Sequence, residues 1–153
     1  MPMEANKAIV RRFYEEVFNR RNVELIDELV KTEFINHDPT PVAARDRESM
    51  KQFIKTLTIA FPDHHHQIQD LIAEGDKVVM CCTLTGTHQG IFPGFLEISP
   101  TGKSICQPQI HILRVQDHQI SEHFVVRDDM TIMQQLGIIS EPEPLHLMSA
   151  HKV

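Results

Sequence analysis

The order of hydrophobic periods along the chain predicts an α+β fold: N-terminal helices packed on a curved, mostly antiparallel sheet. Before Pro62 the apolar residues recur at helical spacing, and after it they alternate. Two turn signals then divide the alternating part into paired hairpin strands. The 153 residues suit a single domain, with a core over about 5–138 and a C-terminal tail over 139–153.

Ile9, Val10, Phe13, Tyr14, Val17 and Phe18 form one apolar stripe opposite Arg11, Arg12, Glu15 and Glu16, which is an amphipathic helix. The segment Asn19 to Asn22 ends it, and a short second helix places Ile26, Leu29 and Val30 on one side. The prolines of "FINHDPTP" stop regular structure. A third helix starts near a cap at Asp46, aligns Met50, Phe53, Ile54, Leu57 and Phe61, and halts at Pro62. "HHHQIQDLIA" and "KVVMCCTLTGTH" are strands joined at "EGD", and "SICQPQIHILRV" pairs with "QISEHFVV" around "QDHQ". There His118 stands where glycine is usual, and histidine tolerates positive φ. A last helix over Met130 to Leu136 closes at Gly137. The proline-broken tail is expected to pack late or against a second subunit.

The net charge of −6, without a basic stripe, argues against a nucleic-acid partner. No apolar run approaches the roughly 20 residues that span a bilayer, so no membrane partner is expected. The N-terminus lacks the apolar stretch of a secretory signal. Cys81, Cys82 and Cys106 are odd in number and carry no metal-binding spacing. A reducing cytoplasm is the simplest compartment for them.

Strand parity sorts the polar candidates. His88 is in phase with Val78, Met80, Cys82 and Leu84, and Gln107, Gln109 and His111 share a face with Leu113 and Val115. His123, Val125 and Arg127 lie on one face of the last strand; Glu122, Phe124, Val126 and Asp128 lie on the other. Histidines and a glutamine lining a sheet cavity can orient a substrate and handle protons. The competing reading is a hydrogen-bonded structural histidine in each case. Asp128 and Asp129 have the default role of helix cap and first-turn acids, with Asp129 the favoured cap. His64 and His66 would share a face of an extended segment, but no third ligand stands at a companion spacing, so no metal is expected. "GIFPGFLEISPTGK" has neither a phosphate-loop nor a dinucleotide pattern and reads as a loop, or a lid over the cavity.

The series "FINHDP", "EGDKVV", "GTHQG", "PTGK", "QIHILRV" and "EHFVVRDDMTIMQQLG" resembles the SnoaL-like polyketide cyclases, ester cyclases of the nuclear transport factor 2-like superfamily. The resemblance implies a cone-shaped α+β barrel around a deep pocket, commonly a homodimer or homotetramer. It also implies intramolecular aldol cyclisation or isomerisation of a small apolar carbonyl compound, with no cofactor. The family's Gln-x-His matches Gln109 and His111, and its last-strand histidine matches His123. Its acid–base aspartate, two residues further, is here Val125; a second family aspartate matches Asp128. On this reading Asp128 is the general base, with His111 as its catalytic partner. Gln109, Asn36, His37, His88, His123 and Phe124 meet the substrate, and Tyr14 and Phe18 supply apolar wall. Two alternatives use the same cone: a binding module without turnover, and an epoxide hydrolase in which an arginine bridges carboxylates.

Overall fold

The computed structural model of the protein describes residues 2–143. Helix α1 (Pro2–Arg12) continues without a break into a π-helical stretch, Phe13–Asn19, where Arg20 N–H reaches back to the Glu15 carbonyl. All four aromatic and branched residues of that stretch, Phe13, Tyr14, Val17 and Phe18, are buried. Wide π turns of this kind are frequent at functional sites. A 3₁₀ turn (Val23–Leu25) leads into the short α2 (Ile26–Leu29).

Val30, expected on the second helix, instead begins strand β1 (Val30–Asn36), and "FIN" belongs to that strand rather than to a loop. Its partner is the last strand in the chain, in parallel, with Asn36 opposite His123. Local periodicity could not reveal this pairing, because the partner is more than 80 residues away and the run is too short to alternate cleanly. Helix α3 (Arg47–Ala60) begins at the expected cap: the Asp46 carboxylate accepts the Ser49 N–H, and Ser49 Oγ accepts from Asp46 N–H in return. Its apolar stripe buries Met50, Ile54, Leu57 and Ala60. The Met50, Ile54 and Leu57 side chains so covered each contribute about 1.5–3 kcal/mol of transfer energy.

Strands β2 (His65–Glu74), β3 (Lys77–Thr87), β4 (Ser104–Gln116) and β5 (Gln119–Arg127) form antiparallel neighbours, giving the order β1-β5-β4-β3-β2. The expected barrel therefore does not close: β1 and β2 are edges, and the helices supply the missing wall. Both hairpin turns take the left-handed backbone, at Gly75 (φ 58°) and at Asp117 and His118 (φ 52° and 61°). In β4 every second residue from Ile105 to Val115 is buried. In β5 the register slips between Arg114 and Val115 of its partner, so Ile120 faces the core and His123, three residues on, still faces inward. Helix α4 (Asp129–Gln135) closes the sheet end, with Gly137 at φ 76° after it. The expectation for the tail falls on 144–153, outside the described residues.

Candidate active site

The cavity lies between the concave face of the sheet, the π-helical stretch that follows α1, and helices α3 and α4. Its apolar wall includes Phe13, Phe18, Phe34, Met50, Phe53, Leu57 and Leu113. The loop of residues 88–103 covers one side, and its Phe92 and Phe95 line the cavity, which is the lid the sequence suggested. That loop is seated on the end of α3 by Gln89 N–H and Gly90 N–H, both donating to the Ala60 carbonyl. A Cβ at Gly90 would stand 2.2 Å from the Ile59 carbonyl oxygen, so only glycine fits there.

The polar residues of the wall form one continuous chain. From Asp129 at the start of α4, the carboxylate accepts from Gln107 Nε2 at 2.8 Å. Gln109 Nε2 donates to Gln107 Oε1 at 2.7 Å, and Gln109 Oε1 is 2.8 Å from His111 Nε2. His111 Nδ1 then meets two groups: the Tyr14 hydroxyl at 3.0 Å and His123 Nε2 at 2.8 Å. The two imidazoles are stacked, 5.1 Å apart at 19°. His123 Nδ1 lies 3.1 Å from Asn36 Oδ1, and the Asn36 amide donates to the Ala44 carbonyl while accepting the Asp38 N–H. Beside this chain Arg127 donates to Asp38 Oδ2 at 2.7 Å.

Burial pushes both His111 and His123 well below the ordinary histidine value, helped at His111 by the neighbouring His123 ring and at His123 by the Arg127 guanidinium, so the pair resists taking up two protons. Burial likewise lowers His66 to about 3 and raises the Tyr14 hydroxyl. At neutral pH His66 is an uncharged ring, and its buried Nδ1 has no hydrogen-bond partner. For Asp38, burial alone would raise the carboxyl; the Thr40 N–H and the Arg127 guanidinium outweigh it and hold the group below the usual value. Burial pushes the Cys82 thiol up to about 12, which leaves no thiolate beside Gln109 to act as a nucleophile.

Of the expected site residues, Tyr14, Phe18, Asn36, Gln109, His111 and His123 line the cavity. Four do not. Asp128 is exposed and caps α4: its carboxylate accepts from the Thr131 N–H at 3.0 Å and from the Thr131 hydroxyl at 2.5 Å. The cap is thus Asp128 and the cavity acid is Asp129, the reverse of the expected assignment. The reason is parity: β5 alternates to its end, so Asp128 leaves on the outer face and the helix then turns Asp129 inward. His37 and Phe124 stack on each other on that outer face, 4.0 Å apart, and His37 Nε2 reaches Glu122. His88 is fully buried beyond the cavity end, packed on Phe61, with Nδ1 accepting the Thr101 N–H. Its strand face was right, but Leu84 is the β3 residue that lines the cavity, and His88 stands four positions further on, just past the end of the strand.

The structure also adds Asp38, His66, Gln107, Arg127 and Asp129 to the wall. Gln107 shares the parity of Gln109 and could have been found from it. Asp38 could not, because its position depends on the loop after β1. His66 is in the cavity, whereas His64 turns away to Thr58 Oγ1 at 3.0 Å. Among the described residues no group of three histidine, cysteine or acidic side chains is placed to hold a metal. No described helix is long and apolar enough to cross a membrane.

The profile of the SnoaL-like polyketide cyclases matches residues 8–136. The chain belongs to that family. No protein of curated function matches it. Among similar solved structures is IdmH of Streptomyces antibioticus, a proposed polyketide cyclase, at 29% identity over 86% of this chain and 98% of that one, with a TM-score of 0.75. A proposed polyketide cyclase from Acidithiobacillus ferrooxidans is 32% identical over 86% and 94%, with a TM-score of 0.73. AclR of Streptomyces galilaeus, a proposed hydroxylase, is 25% identical over 92% and 87%, with a TM-score of 0.77. Within one fold, then, neighbours of comparable likeness are linked to different chemistries, and this family member's reaction has to be argued from its own cavity.

Proposed function

We propose that this SnoaL-like protein is a cofactor-independent enzyme that cyclises or isomerises a small, largely apolar carbonyl compound of polyketide type by acid–base chemistry. The observation that carries the reading is the pairing of an uncharged, unpartnered His66 ring with a Tyr14 hydroxyl backed by the His111–His123 dyad, all in one apolar cavity. Groups whose surroundings drive them to opposite proton states are the usual mark of an acid and a base sharing a site. The Tyr14 and His66 rings are 5.3 Å apart, so one substrate can meet both.

In the forward step the neutral His66 ring takes a proton from the carbon between two carbonyls. The resulting enolate carbon attacks a second carbonyl of the same molecule, forming the ring C–C bond. The alkoxide oxygen receives a proton through the Tyr14 hydroxyl, which the dyad resupplies; His66 then gives its proton to solvent and the dyad takes one back from it, so the cycle closes. Val125 contributes no acid or base, and Asp128 is committed to its helix cap, so these groups replace both expected carboxylates.

Carbon-acid exchange tests this directly. A cyclisable β-keto ester in deuterated water should exchange its acidic C–H faster with the protein, and His66→Gln should lose about 10²–10⁴ of the acceleration, the usual contribution of a positioned acid or base. Absence of any acceleration by the wild-type protein removes the proposal and leaves a binding cone. A second reading, epoxide hydrolysis, draws on the Asp38–Arg127 pair in the cavity wall. Single-oxygen labelling separates the two, since only hydrolysis incorporates water.

We also propose self-association through the outer sheet face, where Ile72, Ile110, Ile112, Phe124 and Val126 are exposed, in a reducing cytoplasm that suits three free cysteines. Sedimentation of the purified chain tests the first; a monomer at working concentration overturns it.

A further inference from the structure

We infer that Asp129, which touches neither histidine, is a positioning residue that makes the His111–His123 dyad carry one proton between its facing nitrogens. This deepens the acid–base reading above and rests on it for its consequence, although its test does not.

The inference comes from following donors and acceptors along the chain of side chains. At one end the Asn36 amide is fixed by the backbone: Nδ2 donates to the Ala44 carbonyl at 2.8 Å, and Oδ1 accepts the Asp38 N–H at 3.1 Å. Asn36 therefore offers His123 Nδ1 an oxygen, and that ring nitrogen must be an N–H. At the other end an ionised Asp129 can only accept. Gln107 must turn its NH₂ to it, Gln109 must turn its NH₂ to Gln107, and Gln109 Oε1 is left facing His111 Nε2. That nitrogen must also be an N–H.

Two neutral rings own two ring protons, and both are now assigned. The remaining contact, His111 Nδ1 to His123 Nε2 at 2.8 Å, would then set two lone pairs against each other. One further proton resolves it, shared between the facing nitrogens, with the Tyr14 oxygen 3.0 Å from His111 Nδ1.

The charges around the rings suit this count. Arg127 and Asp38 neutralise each other beside His123, and His66 and Tyr14 are held uncharged beside His111. His37 is occupied with Glu122 on the outer face. The Asp129 carboxylate is thus the negative group linked to the dyad, and the six-residue chain as a whole is neutral. Burial opposes a charge on the rings; the chain of oriented amides opposes its removal. A proton on the dyad is what lets Tyr14 deliver one to a developing alkoxide.

Nitrogen-15 NMR of the ligand-free protein, labelled at histidine, reads the count without any turnover. At neutral pH three of the four dyad nitrogens should be protonated, the shared one included. Asp129→Asn frees both glutamines to reverse, because its amide donates as readily as it accepts, and the count should fall to two. Gln107→Leu cuts the chain inside the core and should give two as well, which keeps the test open should one variant fail to fold. Two protonated nitrogens in the wild-type protein would overturn the inference, whether the proton had left or moved to Asp129. So would three in a folded Asp129→Asn or Gln107→Leu protein. Failure of the carbon-exchange assay with the wild-type count at three would remove the proposed reaction and leave this assignment standing.

Discussion

Two histidine pairs share this interior, and they are built in opposite ways. His111 and His123 stack at 5.1 Å and are hydrogen-bonded at every ring nitrogen, to each other, to Tyr14, to Gln109 and to Asn36. His64 and His66 are 6.5 Å apart, make no bond to one another, and each leaves a buried Nδ1 without a partner. The first pair sits on adjacent inner strands, whose register brings side chains face to face. The second straddles the start of the edge strand β2: His64 stands just before it, against Thr58 of α3, and His66 within it faces the cavity. A histidine supplied with partners can hold a proton where burial disfavours it. One deprived of partners stays neutral and is free to accept a proton from a substrate.

Breaking either member of the contrast should be costly for turnover. Tyr14→Phe and His66→Gln should each reduce carbon-acid exchange by about 10²–10⁴, with the fold retained by circular dichroism. The Asp38–Arg127 pair, which flanks His123, is nearly dry on the aspartate side, where 3% of the side chain is exposed. Asp38→Ala leaves a partly buried guanidinium unpaired and should cost about 3 kcal/mol in denaturant unfolding, the lower end for a broken buried pair.

Acid sharpens the comparison. His66 falls from the ordinary 6.5 to about 3 on folding and His64 to about 4, chiefly through burial. Because the unfolded chain binds the proton more readily, their neutral forms stabilise the fold above pH 6.5 and that stability drains away as pH falls toward those values. For His66 the slope is roughly 1.4 kcal/mol per pH unit, so His66→Phe should flatten the fall in thermal midpoint between pH 6.5 and 4. An unchanged slope in the variant would assign the acid sensitivity elsewhere.

Smaller effects test the frame around the pairs. Gly90→Ala drives a methyl into the Ile59 carbonyl and should cost about 1–3 kcal/mol, read as a lower thermal midpoint and faster proteolysis of the lid. Asp128→Ala removes the α4 cap and should cost about 1 kcal/mol in denaturant unfolding while leaving carbon-acid exchange unchanged. A large loss of exchange in that variant would return Asp128 to the mechanism.

The acids at the end of β5 mark where sequence reading stops. Alternation placed His123 and Arg127 on one face and Asp128 on the other, and the structure agrees. Beyond Arg127 the period changes from two to 3.6 within a single residue, and the cap and the cavity acid exchange places. Alternation likewise put Gln109, His111 and His88 on the inner face. It could not say that the cavity ends before His88, because depth along a strand depends on what covers it, here Phe61 and Thr101.

What the sequence determined by itself was everything with a local cause. The helices follow from apolar spacing and the Asp46 cap, the hairpins from residues that tolerate positive φ, and the inward faces of β3, β4 and β5 from a period of two. The family is legible too, because its motifs are contiguous. The tertiary structure decided what depends on distant partners: the parallel pairing of β1 with β5, the open sheet, the entry of Asp38 and His66 into the wall, and the chain from Asp129 to Asn36. Those contacts join residues up to 97 positions apart. Hydrogen-bond direction and burial are properties of the assembled cavity, and no stretch of sequence contains them.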